Sequence, residues 1–468
     1  MKVKTVPSKC LYQEGLRLDS KPYMSGALES RAILEALEYT EPLKSFTKGH
    51  NGGIYNGPKF SRTWVEDPEY GVPFLGSTTM LMADLSNLPL IRKKDAVSPK
   101  LSYLELREGT TLISCSGSIG RTVFVREDME GIWSSQHIMK VVPDQRKILP
   151  GYLYAYLSSS FGVPLVVSGT YGAIIQHIEP HHIEDLPVPR PGKEIEEKIH
   201  FSVQKASELR AEASFSKQKM GDKTQKLLGL QPMKSDNVTQ FGITNVQSMD
   251  LNLRLDALYH CPAAIEAESL ISSSPHDVKK LVEVVNYYFK PPLFKRLWVD
   301  SPEYGRQFVS GIDAYRYQAE EVRYVSRKTP NFDQFILKKG WLVFQAAGQI
   351  YGLFGQPLYV HGWLENIFCA DDIYRIVPHN EHDGAYLYAF FRTQHGQALL
   401  KRQACGNSIP RVWDPHMRRI NVVWPDEDLR HEIAKEVIEI HEKIEKARIL
   451  ENQAIQMTNE AITELGQQ

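Results

Sequence analysis

The chain has little that would commit it to chemistry. No run approaches the ~18 apolar residues that a membrane-spanning helix needs, so a membrane protein of that kind is excluded. The opening MKVKTVPSKCLYQEG lacks the apolar core of a secretory signal, which predicts that none is present. The five cysteines, Cys10, Cys115, Cys261, Cys369 and Cys405, are odd in number and never spaced CxxC. Neither a zinc cage nor a disulfide framework is indicated, and a reducing cytoplasm is the expected setting. Charge of one sign is not in excess: 55 Lys and Arg face 56 Asp and Glu. No global basic field announces a nucleic acid, so any DNA contact must come from local patches.

Catalytic signatures are missing too. No GxxxxGK[ST] loop for ATP is present. Nor is there an Asn/Asp-Pro-Pro-Tyr/Phe motif for methylating a flipped base; the one Pro-Pro, Pro291-Pro292, lies in KPPLF. Pro143-Asp144 and Pro425-Asp426 have no convincing Glu-x-Lys downstream and read as a turn or helix cap rather than a nuclease centre. His177, His181 and His182 have no cysteine or carboxylate at a ligand spacing and read as loop or packing residues. No catalytic and no metal-binding residue is predicted.

Proline and glycine vanish from two windows. Lys193 to Leu228 holds no proline and only Gly221, and Glu427 to Leu465 holds neither. Pro189 and Pro191 precede the first window and Pro425 the second, as helix-start signals should. Apolar residues recur every seventh position: Ile199, Ala206, Ala213, Met220 and Leu227, with Val203 between. The second window repeats this with Ile433, Ile440, Ala447, Ala454 and Ala461, joined by Val437, Ile444 and Leu465. Such heptads predict two supercoiled helices, each roughly 55–60 Å long at 1.5 Å per residue. One helix lies mid-chain and the other at its end, so the expected pairing is an antiparallel coiled coil with an approximate two-fold axis.

What the 468 residues do contain is a duplication. FSRTWVEDPEYG (60–71) returns as FKRLWVDSPEYG (294–305), eight of twelve positions identical. Arg17-Leu18-Asp19 recurs as Arg254-Leu255-Asp256, and LREGTTLISCSGSIG as LKKGWLVFQAAGQIYG. IMKVVP (138–143) recurs as IYRIVP (373–378), and Tyr152-Leu153-Tyr154-Ala155 as Tyr386-Leu387-Tyr388-Ala389. Pro180-His181 recurs as Pro415-His416. Each copy opens with short β-type runs, among them Thr111–Ser114, Thr122–Arg126, Trp341–Phe344 and Ile373–Val377, and a short helix near Pro150–Ser158. Each copy closes on one of the long helices.

These phrases, above all LISCSGSIGRTVFV, SSQHIMKVVP and IIQHIEPHHIEDLPVPRPGKEIEEKI, resemble the specificity subunits of type I restriction-modification systems over nearly the whole chain. The resemblance implies an α+β fold of two tandem mixed α/β target recognition domains, separated by two long helices that form an antiparallel, pseudo-two-fold coiled coil. The expected boundaries are 1–190 for the first domain, 191–230 for the first spacer helix, 231–250 for a linker, 251–424 for the second domain and 425–468 for the second spacer helix. It further implies a non-catalytic, cytoplasmic reader of a bipartite, asymmetric site in double-stranded DNA. Two methyltransferase subunits, and motor-nuclease restriction subunits in the complete enzyme, would be its partners. S-adenosylmethionine and ATP would sit on those partners, leaving this chain without a cofactor. The other readings are a specificity chain whose partner fuses nuclease and methyltransferase, an unrelated DNA-binding regulator, and a single-chain enzyme with an unrecognised site.

Base and phosphate contacts need Arg, Lys, Gln, Asn, small hydroxyls and aromatics on exposed loops. In the first half the candidates are Lys48, His50, Asn51, Tyr55 and Lys59 in one glycine-rich loop, the basic run Arg92, Lys93 and Lys94, the turn residues Ser116, Ser118 and Arg121, and Tyr171. In the second half they are Lys290, Lys295, Arg296, Gln345, Gln349, Gln403, Asn407 and Arg411. The segment ahead of PEYG differs between copies and reads as a recognition loop, the phrase itself as scaffold.

Overall fold

Strand-forming runs rich in Val, Ile and aromatics, broken by glycine turns, set the architecture of the computed structural model. It describes residues 3–13, 16, 20–170, 177–234, 243, 245–248, 251, 254–319, 321–412 and 414–467. Arg17-Leu18-Asp19, Tyr171 and much of the 231–250 segment lie outside the described residues. The fold is α+β, and the chain divides into two compact units, Met1–Ser214 with Lys446–Gln468, and Phe215–Glu445.

In the first unit, Ile54–Tyr55, Ile138–Val141, Thr111–Ser114 and Thr122–Phe124 form an antiparallel sheet in that order. A second sheet orders Trp64–Val65, Leu90–Arg92, Gly71–Leu75 and Trp133–Ser134, the last pair parallel. Thr40–Pro42 pairs with Pro187–Pro189. The helix Pro150–Leu157 is buried at every position, and with Ile113, Met139 and Val141 it builds the core. The tyrosines in it pay no unpaired-hydroxyl penalty: Tyr152 donates to Pro189 O and Tyr156 to Pro187 O, which fixes the helix on that strand.

The second unit repeats this connectivity. Val285–Phe289, Ile373–Pro378, Leu342–Gln345 and Pro357–Tyr359 form one sheet; Trp298–Val299, Arg323–Ser326, Gly305–Val309 and Phe368–Cys369 form the other. Val278–Lys280 pairs with Asn421–Val423. Helix Glu381–Arg392 takes the place of Pro150–Leu157, and Tyr386 donates to Val423 O.

The long helices run Lys193–Leu227 and Glu427–Leu465. Asp426 Oδ1 accepts from Leu429 N at 2.9 Å, a cap on one of the otherwise unpaired first-turn amides. Arg190 pairs with Glu196 at 2.8 Å at the start of the other. In the first unit, Ile199 and Val203 share the core cluster with Ala454 and Ile462, and Ala206 and Leu209 pack on Ala447. In the second unit, Lys223 pairs with Glu436 at 2.7 Å, and Ile433, Val437 and Ile440 are buried. Ala213 is buried as well. Three heptad positions depart from expectation. Ile444 and Leu465 are only half-buried, and Leu227 yields to Thr224 and Leu228. A straight helix drifts by roughly 20° per heptad, which moves the buried stripe one residue on by the last turn. Gly221 has its own reason: a Cβ there would meet Arg392 O at 2.7 Å.

Candidate nucleic-acid interface

The loop 48–59 of the first unit is short and internally braced rather than free. A tight turn at His50–Gly53 leads into the strand Ile54–Tyr55. Gly53 has φ +90° and a Cβ would lie 2.5 Å from Lys48 N, so only glycine closes the turn. Asn51, at φ 47°, is exposed at its tip. Lys48 pairs with Asp144 at 3.1 Å, and His50 stacks on Tyr103 with ring centroids 3.7 Å apart. Lys59 is exposed. Tyr55 must be withdrawn as a DNA contact: it is 7% exposed and its hydroxyl donates to Tyr103 O.

Arg92 is held by Asp95 at 2.8 Å, while Lys93 and Lys94 stand exposed beside it. The turn after Thr111–Ser114 presents Ser118, with Ser116 and Arg121 half-buried. It is tied down by Arg121 N donating to Ser114 Oγ at 3.0 Å and by Gly120 pressed against Val167. Pro143-Asp144 is a turn, with Arg146 N donating to Asp144 Oδ1 at 3.2 Å.

In the second unit Lys295 and Arg296 are exposed and Lys290 half-buried. The loops 346–352 and 406–411 are joined, Gln349 Nε2 donating to Ser408 O and Gly348 N to Pro410 O, both at 3.0 Å. Asn407, Gln349 and Arg411 are exposed on this joined surface; Gln345 is half-buried at its base. Gln403 is the second withdrawal. It is 3% exposed and spends its amide on Leu399 O, inside the helix end.

Sequence reasoning missed a cluster in each unit. In the first, Arg62 Nη2 donates to Gln136 Oε1 at 3.0 Å, and Gln136 Nε2 lies 3.2 Å from His137 Nε2. The His177 ring is stacked 6.1 Å from that of His137. Burial, with Arg62, His177 and Lys59 adding repulsion, holds the His137 imidazole below its ordinary value, so it is neutral at pH 7. In the second unit the corresponding turn carries Asp371 and Asp372. The clue was the SSQH ahead of IMKVVP, whose variable pair only the alignment of the two copies isolates.

Below each turn sits a buried cation. Lys140, 1% exposed, donates to Ile138 O at 3.0 Å and Ser135 O at 3.4 Å. Arg375, fully buried, donates to Cys369 O at 2.9 Å, to Ala370 O and to Ile373 O. Burial lowers the Lys140 ammonium from an ordinary 10.5 to about 7. Between pH 7 and 10.5 the unfolded chain therefore binds a proton that the folded one does not, and stability rises with pH across that window. Below pH 7 both states are protonated and the cost of the buried charge is fully present. From pH 7 to 9 the gain should be roughly 2–3 kcal/mol by urea denaturation, and absent in Lys140→Met. A parent curve flat across that range would show that Lys140 keeps its proton up to its ordinary value and refute the lowering.

Among the described residues no group of three or more His, Cys, Asp or Glu could hold a metal ion, and no helix is long and apolar enough to cross a membrane.

Three solved structures similar to the chain come from type I restriction-modification systems. The S subunit of such a system from M. genitalium is 13% identical, with a TM-score of 0.39, covering 91% of this chain and 95% of that one. The HsdS subunit from Thermoanaerobacter tengcongensis is 11% identical, with a TM-score of 0.27 and coverage of 92% and 95%. A chain from a study of complex assembly and conformational transition in a type I system is 10% identical, with a TM-score of 0.28 and coverage of 92% and 97%. No protein-family model and no curated protein matches the chain.

Proposed function

We propose that the chain is the DNA sequence-recognition subunit of a type I restriction-modification complex, reading a bipartite, asymmetric site and directing adenine methyltransferase and restriction subunits to it. One observation carries this reading. Two units with one connectivity hold different polar residues at matching turns: Gln136-His137 against Asp371-Asp372, and Ser116–Arg121 against Ala347–Gly352. A duplicated frame with divergent, partly exposed polar turns is what two readers of two different half-sites require, since phosphate contacts position and base-edge contacts specify. The two long helices, with their matching apolar heptads, are the candidate antiparallel coiled coil that sets the spacing. Residues 1–190 and 251–424 would then be the recognition domains.

Catalysis belongs to the partners in this reading. The purified chain, given labelled S-adenosylmethionine and duplex DNA, should transfer no methyl group and cut no strand; adding methyltransferase subunits should start transfer to adenine. Methyl transfer by the chain alone would refute it. Addition of a partner that leaves methylation independent of this chain would refute it equally.

A further inference from the structure

The two missed turns sit in the same frame. Arg62 Cζ rests 5.1 Å over the Phe74 ring and Arg296 Cζ 5.3 Å over Phe308, with Trp64 and Trp298 edge-on to the same rings. Cys115 N donates to His137 O at 2.8 Å, and Ala346 N to Asp372 O at 2.8 Å. Lys140 and Arg375 hold the carbonyls on either side from below. Backbone, arginine and buried cation thus recur while the dipeptide changes. All four side chains of the pair positions are half-buried, neither packed away nor freely solvated.

Chemically the two dipeptides are opposites. Gln136 and His137 offer donors and acceptors and are already linked to Arg62. Asp371 and Asp372, once ionised, only accept. Asp372 Oδ1 is buried without a hydrogen-bond partner among the described residues, and so is Oε1 of Gln345, on the neighbouring strand end that pairs with Ile373. Gly311 leaves open space beside the Asp372 carboxylate; a Cβ there would lie 3.0 Å from Oδ2. Buried acceptors left unpaired cost free energy that a donor from a ligand would recover.

We propose that Gln136-His137 and Asp371-Asp372 are equivalent specificity positions, and that the second selects a base with an exocyclic amine in the major groove, cytosine through N4 or adenine through N6. Guanine and thymine present acceptors at those places, O6 or O4, and would meet the carboxylate oxygen to oxygen. The inference rests on the DNA-reading function proposed above.

The test is selection from a randomised duplex library by the full chain assembled with its methyltransferase subunits, followed by sequencing of the bound fraction. The parent should enrich a two-part pattern. Asp372→Asn, whose melting temperature should match the parent, should lose discrimination on the order of ten-fold at one position of one half-site. In the parent that position should hold one fixed base pair, G·C where the carboxylate takes cytosine N4 and A·T where it takes adenine N6. Gln136→Ala should relax the other half-site only. A pattern unchanged by Asp372→Asn, or a loss in the half-site that Gln136→Ala relaxes, overturns this inference and leaves the reader standing. Absence of any pattern from the parent overturns the reader as well.

Discussion

Replacing Arg210 by alanine should cost about 3–5 kcal/mol, because it strands a carboxylate inside the first unit. Arg210 is 8% exposed and pairs with Glu451 on the other long helix, and the Glu451 carboxylate also accepts from the Tyr154 hydroxyl. With Arg210 gone, Glu451 keeps one neutral donor in place of a charge-assisted partner. The melting transition of the unit should fall by roughly 10 °C. Arg210→Leu with Glu451→Leu should recover most of the loss, since the pair's attraction is largely offset by the cost of desolvating both ions. A single variant that melts with the parent would show that the pair is solvated in solution. The pair has no copy in the other unit: at the repeat offset of 234 residues, 210 + 234 falls on Ile444 and 451 − 234 on Lys217. A polar pair at one place on an apolar seam penalises every shifted pairing, and register is the role it is suited to.

That pair also marks where reading a sequence stops. Heptads are found by counting apolar residues, so the ends of both long helices and most of their buried stripe were legible from Ile199, Ala206, Ile433 and Ala447. Arg210, Lys217 and Glu451 sit on the same stripe, but a charged residue looks the same in sequence whether it faces water or a partner across a seam. Tyr55 and Gln403 failed for the reverse reason. Their residue types suit DNA and their neighbours are loop-like, yet Tyr55 occupies a strand whose alternate face is core, and Gln403 closes the helix Gln394–Arg402. Burial is a property of the partner strand or helix, and no local pattern carries it. The duplicated phrase shows a third limit. Phe60, Arg62 and Trp64 gather around Phe74, as Phe294, Arg296 and Trp298 do around Phe308, so its front half is packing scaffold. Yet Arg62 also reaches Gln136, so one residue serves both frame and candidate reader.

Exchange of one recognition domain for that of a relative should alter one half of the methylated sequence and leave the other intact. How the exchange is cut should decide whether the product folds. A cut at 12–190 severs one core: Tyr152–Leu157 packs in the same cluster as Ile195, Ile199, Val203, Ala454, Met457 and Ile462. Gly151 N also bonds His200 Nδ1, and Ser160 bonds Asn459. Donor side chains facing the parent's helices would be over- or under-packed at several of these positions, each worth about 1–3 kcal/mol. The compact unit is instead Met1–Ser214 with Lys446–Gln468, so both helix segments should travel with the domain and the joins should fall inside the helices. The chimera built that way should melt close to the parent, and the 12–190 chimera well below it. In cells that also carry the methyltransferase, genome-wide mapping of modified adenines should report one new half-site joined to the old one. If the whole-unit chimera folds yet changes both half-sites, or neither, each unit does not read by itself.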